Sequence, residues 1–147
     1  MTRFECLHFT DLTPHQLNAI IHLRNEVFVV EQNCVFQDAD HKDEDAFHLM
    51  AWVDDELAGY TRLLQPGIAY EQMSIGRVVT SPKHRGSGVG RQLMDASIKK
   101  CYELFGKGDI KIGAQRYLKK FYESFGFQQA GEGYLEDGIP HIYMIKS

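Results

Sequence analysis

Three cysteines in 147 residues, Cys6, Cys34 and Cys101, are too few and too widely spaced for a disulfide framework. None forms a Cys-x-x-Cys pair, so no zinc site is expected either, and a reducing cytoplasm is the simplest setting. Long apolar runs are missing as well. No stretch reaches the 18 residues of a membrane span. Met1-Thr2-Arg3-Phe4-Glu5 lacks the apolar core of a signal peptide. Basic charge is short: 16 Lys and Arg face 20 Asp and Glu, a net −4, without any Lys/Arg cluster. That balance argues against a nucleic-acid footprint and leaves a small molecule or peptide as the default partner. Linkers, low-complexity tracts and internal repeats are absent, so residues 1–147 read as a single domain. Its 44% hydrophobic and 24% charged residues are ordinary globular values.

What is present has a clear order. Phe4 to Phe9 alternates polar and apolar residues as a strand does. Thr13-Pro14-His15-Gln16 opens a helix, with Thr13 as cap, Pro14 in the first position and Gln16 closing a capping box. Leu17, Ile20, Ile21 and Phe28 share one face of that helix. A further strand after it is left open. Leu49–Val53 and Leu57–Leu64 read as a hairpin around Asp54-Asp55-Glu56. Met73–Thr80 is the next strand, and a helix runs from near Gly88 to about residue 105. Ile110–Ala114 is strand-like, Leu118–Phe125 is a short helix ended by Gly126, and Phe127–Tyr134 with Ile139–Ile145 closes the chain. This alternation implies an α/β (α+β) sheet with helices on both faces.

The most informative stretch is Val78-Val79-Thr80-Ser81-Pro82-Lys83-His84-Arg85-Gly86-Ser87-Gly88-Val89-Gly90. A strand leads into a glycine-rich loop and then a helix start, an arrangement that gathers backbone N–H groups around an anion. Arg85 adds a bidentate cation at the mouth of the loop. A P-loop needs Lys and then Ser or Thr after its last glycine, but Arg91-Gln92 follows Gly90. The dinucleotide fingerprint fails too, because Arg91 stands where its third glycine belongs. What remains is Arg-x-x-Gly-x-Gly, with a plain strand–helix turn as the competing reading.

Downstream lies Phe121-Tyr122-Glu123-Ser124-Phe125-Gly126-Phe127. Alone it reads as core aromatics around a helix end. Placed one strand and one helix after Arg85–Gly90, it resembles the C-terminal motif of the GNAT superfamily of N-acetyltransferases. Leu23 to Cys34, Ile75-Gly76-Arg77-Val78-Val79 and Glu136-Asp137-Gly138-Ile139-Pro140-His141-Ile142 resemble the ElaA-like branch, so the likeness covers nearly the whole chain. Gln115 is a departure, standing where many members carry Asn.

The resemblance implies a mixed, mostly antiparallel central sheet with a splayed strand pair, and acetyl-CoA as co-substrate without a metal. Val78, Val79 and Thr80 would offer backbone groups to the pantetheine. Arg85, Gly86, Ser87, Gly88, Val89 and Gly90 would hold the pyrophosphate, with Gln115 on the pantetheine arm. Gly113 and Ala114 are small enough for close approach. A primary amine, on a small molecule or a peptide, would attack the thioester directly in a ternary complex, with the Val79 N–H as oxyanion donor. Dimers are frequent in the superfamily. Tyr122 matches the tyrosine that acts as acid. A phenol of pKa about 10 facing a thiol of about 8.5 makes full proton transfer uphill by roughly 2 kcal/mol, so Tyr122 serves as a hydrogen-bond donor.

Glu31, His48 and His141 are the candidate bases, each with a structural role as alternative. Arg77 reads as paired with a carboxylate on the sheet face. Asp38 to Asp45 is acidic but lacks the Gly and Glu of a calcium loop, so a solvated loop is expected, with attraction of a cationic acceptor as the sharper alternative. An acyl-cysteine route through Cys34 or Cys101 lacks a partnered thiol. The rival from another class is a non-catalytic acyl-CoA-binding sensor.

Overall fold

A computed structural model describes residues 1–147. The strands are β1 (Thr2–His8), β2 (Phe47–Val53), β3 (Glu56–Leu64), β4 (Ser74–Thr80), β5 (Ile110–Gln115), β6 (Phe127–Gln129), β7 (Tyr134–Glu136) and β8 (Ile139–Lys146), and the α-helices are α1 (Pro14–Arg24), α2 (Val89–Phe105) and α3 (Lys119–Glu123). No helix is long and apolar enough to cross a membrane. The capping box at Thr13 forms as its sequence predicts, with Gln16 N–H donating to Thr13 and Gln16 accepting from the Thr13 N–H. Asp54 and Asp55, at φ 50° and 66°, make the tight turn of the β2–β3 hairpin.

Strands β1 to β4 pair antiparallel in sequence order, while β5, β8 and β6 form a second antiparallel set that β7 joins through β8. The two sets meet only where β4 and β5 begin. A parallel bridge links Met73 to Ile110, and Lys111 N–H donates to the Met73 carbonyl at 3.0 Å. Beyond that point the strands diverge, which is the splayed pair that the motifs led us to expect.

Leu49 and Met50 point to opposite faces of the first set. On one face Ile20, Leu23 and Val27 pack on Met50, Tyr60 and Val79. On the other Val89 and Leu93 pack on Leu49, Ala51 and Ala58. Farther along α2, Met94, Ile98 and Cys101 close over Ile75, Ile112, Ala114 and Tyr122. Helices thus cover both faces, and α2 is shared by the two strand sets.

Three stretches depart from the sequence reading, the first being the closing run Phe127–Tyr134, which is split into β6 and β7. After α1 the chain continues into a π-helical segment, Asn25–Glu31, and a short 3-10 turn, His41–Asp45, so the strand left open there does not form. The acidic run is not a solvated loop. Asp38, Asp40 and Asp43 are clamped by Arg24, Arg62 and Arg77 from α1, β3 and β4. Arg24 reaches Asp38 at 2.6 Å and Asp43 at 2.8 Å, and Arg62 reaches Asp40 at 2.6 Å. Guanidinium groups beside it hold the Asp43 carboxyl down at about 2, against the cost of its burial.

Candidate active site

The V between β4 and β5 opens into a cavity of about 660 Å³. Strand β4 pairs with β3 along one edge only. Past Met73 no strand pairs with its other edge, so a strand-like ligand can add there through backbone hydrogen bonds. Between the pairs Tyr60–Val79 and Arg62–Gly76, β4 carries one more residue than β3, so Arg77–Val78 forms a bulge opposite Thr61. Arg77 takes φ 49° there, a left-handed conformation that is costly for a residue with a Cβ. Its guanidinium is fixed by the acidic segment, with Nη2 donating to the Asp38 carbonyl at 2.8 Å and Nε 2.9 Å from the Asp38 carboxylate. This is the sheet-face pairing expected for Arg77, and it braces the bulge.

Gly86 and Gly88 adopt φ 80° and 88°, which only glycine takes without strain. Helix α2 begins directly after Gly88 with no side-chain cap, so the N–H groups of Val89, Gly90 and Arg91 precede its first internal bond. Those donors and the positive end of the dipole suit an anion. Ser87 donates its hydroxyl proton to the His84 carbonyl, leaving its backbone N–H as its contribution. Arg85, at the mouth, holds a bidentate ion pair with Glu31 at 2.7 and 2.6 Å. The Arg85 guanidinium keeps the Glu31 carboxyl below its ordinary range.

The residue after Glu31 also crosses the cavity. Gln32 and Gln115 exchange amide hydrogen bonds at 3.4 and 3.2 Å, so the end of the π-helical segment reaches both flanks of the V. Gln32 lies in the Leu23–Cys34 run that resembles the ElaA-like branch, but that likeness gave it no role. Tyr122 lines the cavity and is 5% exposed, with its ring edge-on to Phe121 and Phe127. Burial pushes its phenol up, so it is a neutral donor, and its hydroxyl makes no hydrogen bond within the chain.

The other candidates separate. His141 lines the cavity. Its Nδ1 donates to the Ile139 carbonyl at 2.7 Å, a partner that leaves the lone pair on Nε2, and Nε2 lies 3.4 Å from the Glu136 carboxylate. His48 does not lie at the cleft rim. It is 0% exposed on β2, its Nε2 donates to the Asp43 carbonyl at 2.9 Å, and its Nδ1 accepts from the Tyr60 hydroxyl. Both ring nitrogens are occupied, and burial pushes its pKa down, so His48 is a structural histidine.

Gly113 and Ala114 line the cavity, and a side chain at Gly113 would meet the Tyr134 hydroxyl at 2.7 Å and the Tyr70 hydroxyl at 3.2 Å, so the glycine also makes room for two tyrosines. Glu136 and Asp137, which in the sequence stand only within the run resembling the ElaA-like branch and have no role there, line the cavity beside His141. Pairing of β7 with β8 folds residue 136 back against the strand carrying His141. Cys101 is buried and its thiol is pushed up to about 12, the wrong direction for a nucleophile. Cys34 borders the cavity, and its thiol contacts only the Asp137 carbonyl, at 3.6 Å.

Known proteins share this arrangement. Residues 10–147 match the family model described as an acetyltransferase (GNAT) domain. Protein ElaA of Escherichia coli K12 is 43% identical over 99% of this chain and 97% of its own. A Pseudomonas aeruginosa crystal structure described as an acyl-CoA N-acyltransferase superposes with a TM-score of 0.95 at 43% identity, covering all of both chains. The crystal structure of E. coli ElaA gives 0.93 at 42% identity over the same full coverage. On the match over residues 10–147 and these relatives at 42–43% identity, the chain belongs to the GNAT acetyltransferase family and is an acyl-CoA-dependent acyltransferase.

Proposed function

We propose that this chain moves the acetyl group of acetyl-CoA to a primary amine by direct attack in a ternary complex within the β4–β5 cavity. The observation that carries this reading is one continuous cavity bounded by Arg85 and Gly86, the free edge of β4, Tyr122 and His141. The backbone of Val78, Val79 and Thr80 pairs with the pantetheine, and Gln115 turns its amide to that arm. The N–H groups from Gly86 to Gly90 take the pyrophosphate. Arg85 exchanges Glu31 for it, since a doubly charged diphosphate outcompetes one exposed carboxylate.

The bulge frees backbone at Arg77–Val78 from the ladder, and the N–H of the adjacent Val79 stabilises the developing oxyanion. His141 takes the amine proton on Nε2, and Glu136 stabilises the imidazolium that results. Tyr122 donates a hydrogen bond to the departing thiolate. Its raised pKa makes it a donor that keeps its proton. Glu31, bound to Arg85 with a depressed pKa, is a poor base and belongs to the cofactor mouth. The unpaired cysteines fit a reducing cytoplasm.

The test is thiol release from acetyl-CoA across a panel of primary amines, with mass spectrometry of the products. The expected result is amine-dependent release with one N-acetyl group per thiol. Tight acetyl-CoA binding without turnover on any amine would instead favour the sensor reading.

A further inference from the structure

Three glycines lie inside strands, where glycine is destabilising. Two are explained by their neighbours. A side chain at Gly59 would meet Leu93 at 3.2 Å and the Val79 carbonyl at 3.3 Å, and one at Gly113 would meet the Tyr134 hydroxyl. Gly76 is different. A Cβ there would meet no atom within 4 Å, and its φ lies outside the left-handed region. It keeps its pairing with Arg62, so the neighbouring bulge does not require it either. A strand glycine that neither packing nor backbone demands, on the wall of a cavity, marks where a ligand approaches closely.

The surroundings of Gly76 distinguish which part of the ligand that is. Gly76 stands opposite Arg62 and Val79 opposite Tyr60, two residues apart on β3, so both point to the face that α1 covers. Val27 and Phe28 reach the same face and line the same cavity. The recess over Gly76 is therefore walled by apolar side chains. The nearest charges are already matched, since Asp38 is held by Arg24 and Arg77. With the pyrophosphate at Gly86–Gly90 and the pantetheine on Thr80, Val79 and Val78, the thioester reaches the bulge, and Gly76 is the next residue of β4 beyond it. The amine meets His141, which β8 carries on the far side of β5, so the recess on the β4 side is left to the acyl chain.

We infer that Gly76 sets the acyl-chain selectivity of this enzyme, and that the recess above it takes unbranched acyl groups longer than acetyl, through propionyl to butyryl. This rests on the cofactor placement proposed above and widens its donor class.

The experiment measures Kd by calorimetry for acetyl-, propionyl- and butyryl-CoA with no amine present. The expected result is tighter binding with each added methylene, about threefold per step and about tenfold from acetyl to butyryl, because the chain leaves water for an apolar recess. In Gly76→Val the added methyls fill that recess, and the order should reverse, with butyryl-CoA about threefold or more weaker than acetyl-CoA. Equal or weaker binding of butyryl-CoA by the wild type overturns the inference, as does a tenfold preference that persists in the variant. Should Gly76→Val fail to fold, Gly76→Ala puts one methyl into the same open space and should cut the preference to about threefold or less; an undiminished preference again overturns the inference. Because no amine takes part, the two readings fail separately. A butyryl preference without turnover on any amine defeats the transfer reading alone, and amine-dependent turnover without the preference defeats this inference alone.

Discussion

Two arginine–carboxylate assemblies in this protein use the same chemistry in opposite surroundings. In the first, Arg24, Arg62 and Arg77 enclose Asp38, Asp40 and Asp43, and the Arg24 and Arg62 side chains are only 3% and 5% exposed. In the second, Arg85 and Glu31 are 45% and 41% exposed, yet their two bonds are just as short. Bond length therefore does not rank them; burial does. Breaking a buried pair strands a desolvated charge, whereas an exposed pair trades its partner for water at little cost. The first assembly fastens α1, β3 and the β4 bulge into one frame. The second lies across the mouth of the cavity and is free to change partners.

The largest effect should come from the buried set. Arg24→Leu leaves Asp38 and Asp43 without their main cation and should cost about 3–5 kcal/mol in urea unfolding. A loss under about 1 kcal/mol would erase the distinction between the two assemblies. Next, Arg85→Ala should weaken acetyl-CoA binding by about ten- to a hundredfold in calorimetry, the worth of charge-assisted hydrogen bonds of about 1.5–3 kcal/mol. Its folding stability should stay within about 1 kcal/mol of wild type.

Acid should expose the buried set again. The pKa values of His48 and Asp43 both lie below their ordinary 6.5 and 3.8 in the folded chain, so the unfolded chain binds more protons as pH falls. Stability should be full above pH 6.5 and decline below it through His48. It should decline again between 3.8 and about 2 as Asp43 is protonated. Thermal melts of wild type and His48→Gln between pH 7 and 5 check the first step, whose slope should shrink in the variant. The smallest effect belongs to Glu31→Gln, which should leave the melting temperature nearly unchanged. It should tighten acetyl-CoA binding by less than about tenfold, because a competitor for Arg85 is gone. Weaker binding would mean that Glu31 assists the cofactor.

The same contrast explains what could be read without a structure. Features encoded in adjacent residues were legible: the Thr13 cap, the Asp54-Asp55 turn, and the glycines whose positive φ shapes the anion loop. Those residues act through their own backbone preferences. The buried cage was not legible, because Arg24, Arg62 and Arg77 come from three elements and meet the acidic run only through the tertiary fold. A local run of aspartates looks solvated wherever its partners are distant in sequence.

His48 escaped for a related reason. Neighbouring His48, Leu49, Met50 and Ala51 are all buried, so β2 lacks the alternation that separates a cleft-facing histidine from a core one. Glu136 and Asp137 were visible only as part of a run resembling the ElaA-like branch, and their place beside His141 follows from β7 folding back along β8. Tyr122 was found because it stands in a compact motif, although the burial that keeps it neutral had to come from Phe121, Phe127 and α2.

Turnover by Tyr122→Phe, measured beside wild type with the best amine and varied acetyl-CoA, tests transfer in this cavity most directly. The substitution removes one oxygen from a packed ring. It should lower kcat at least tenfold, about 1.4 kcal/mol of barrier, while the KM for acetyl-CoA and the melting temperature hold nearly constant. An unchanged kcat would contradict the account, since the buried Tyr122 hydroxyl that lines the cavity would then play no part.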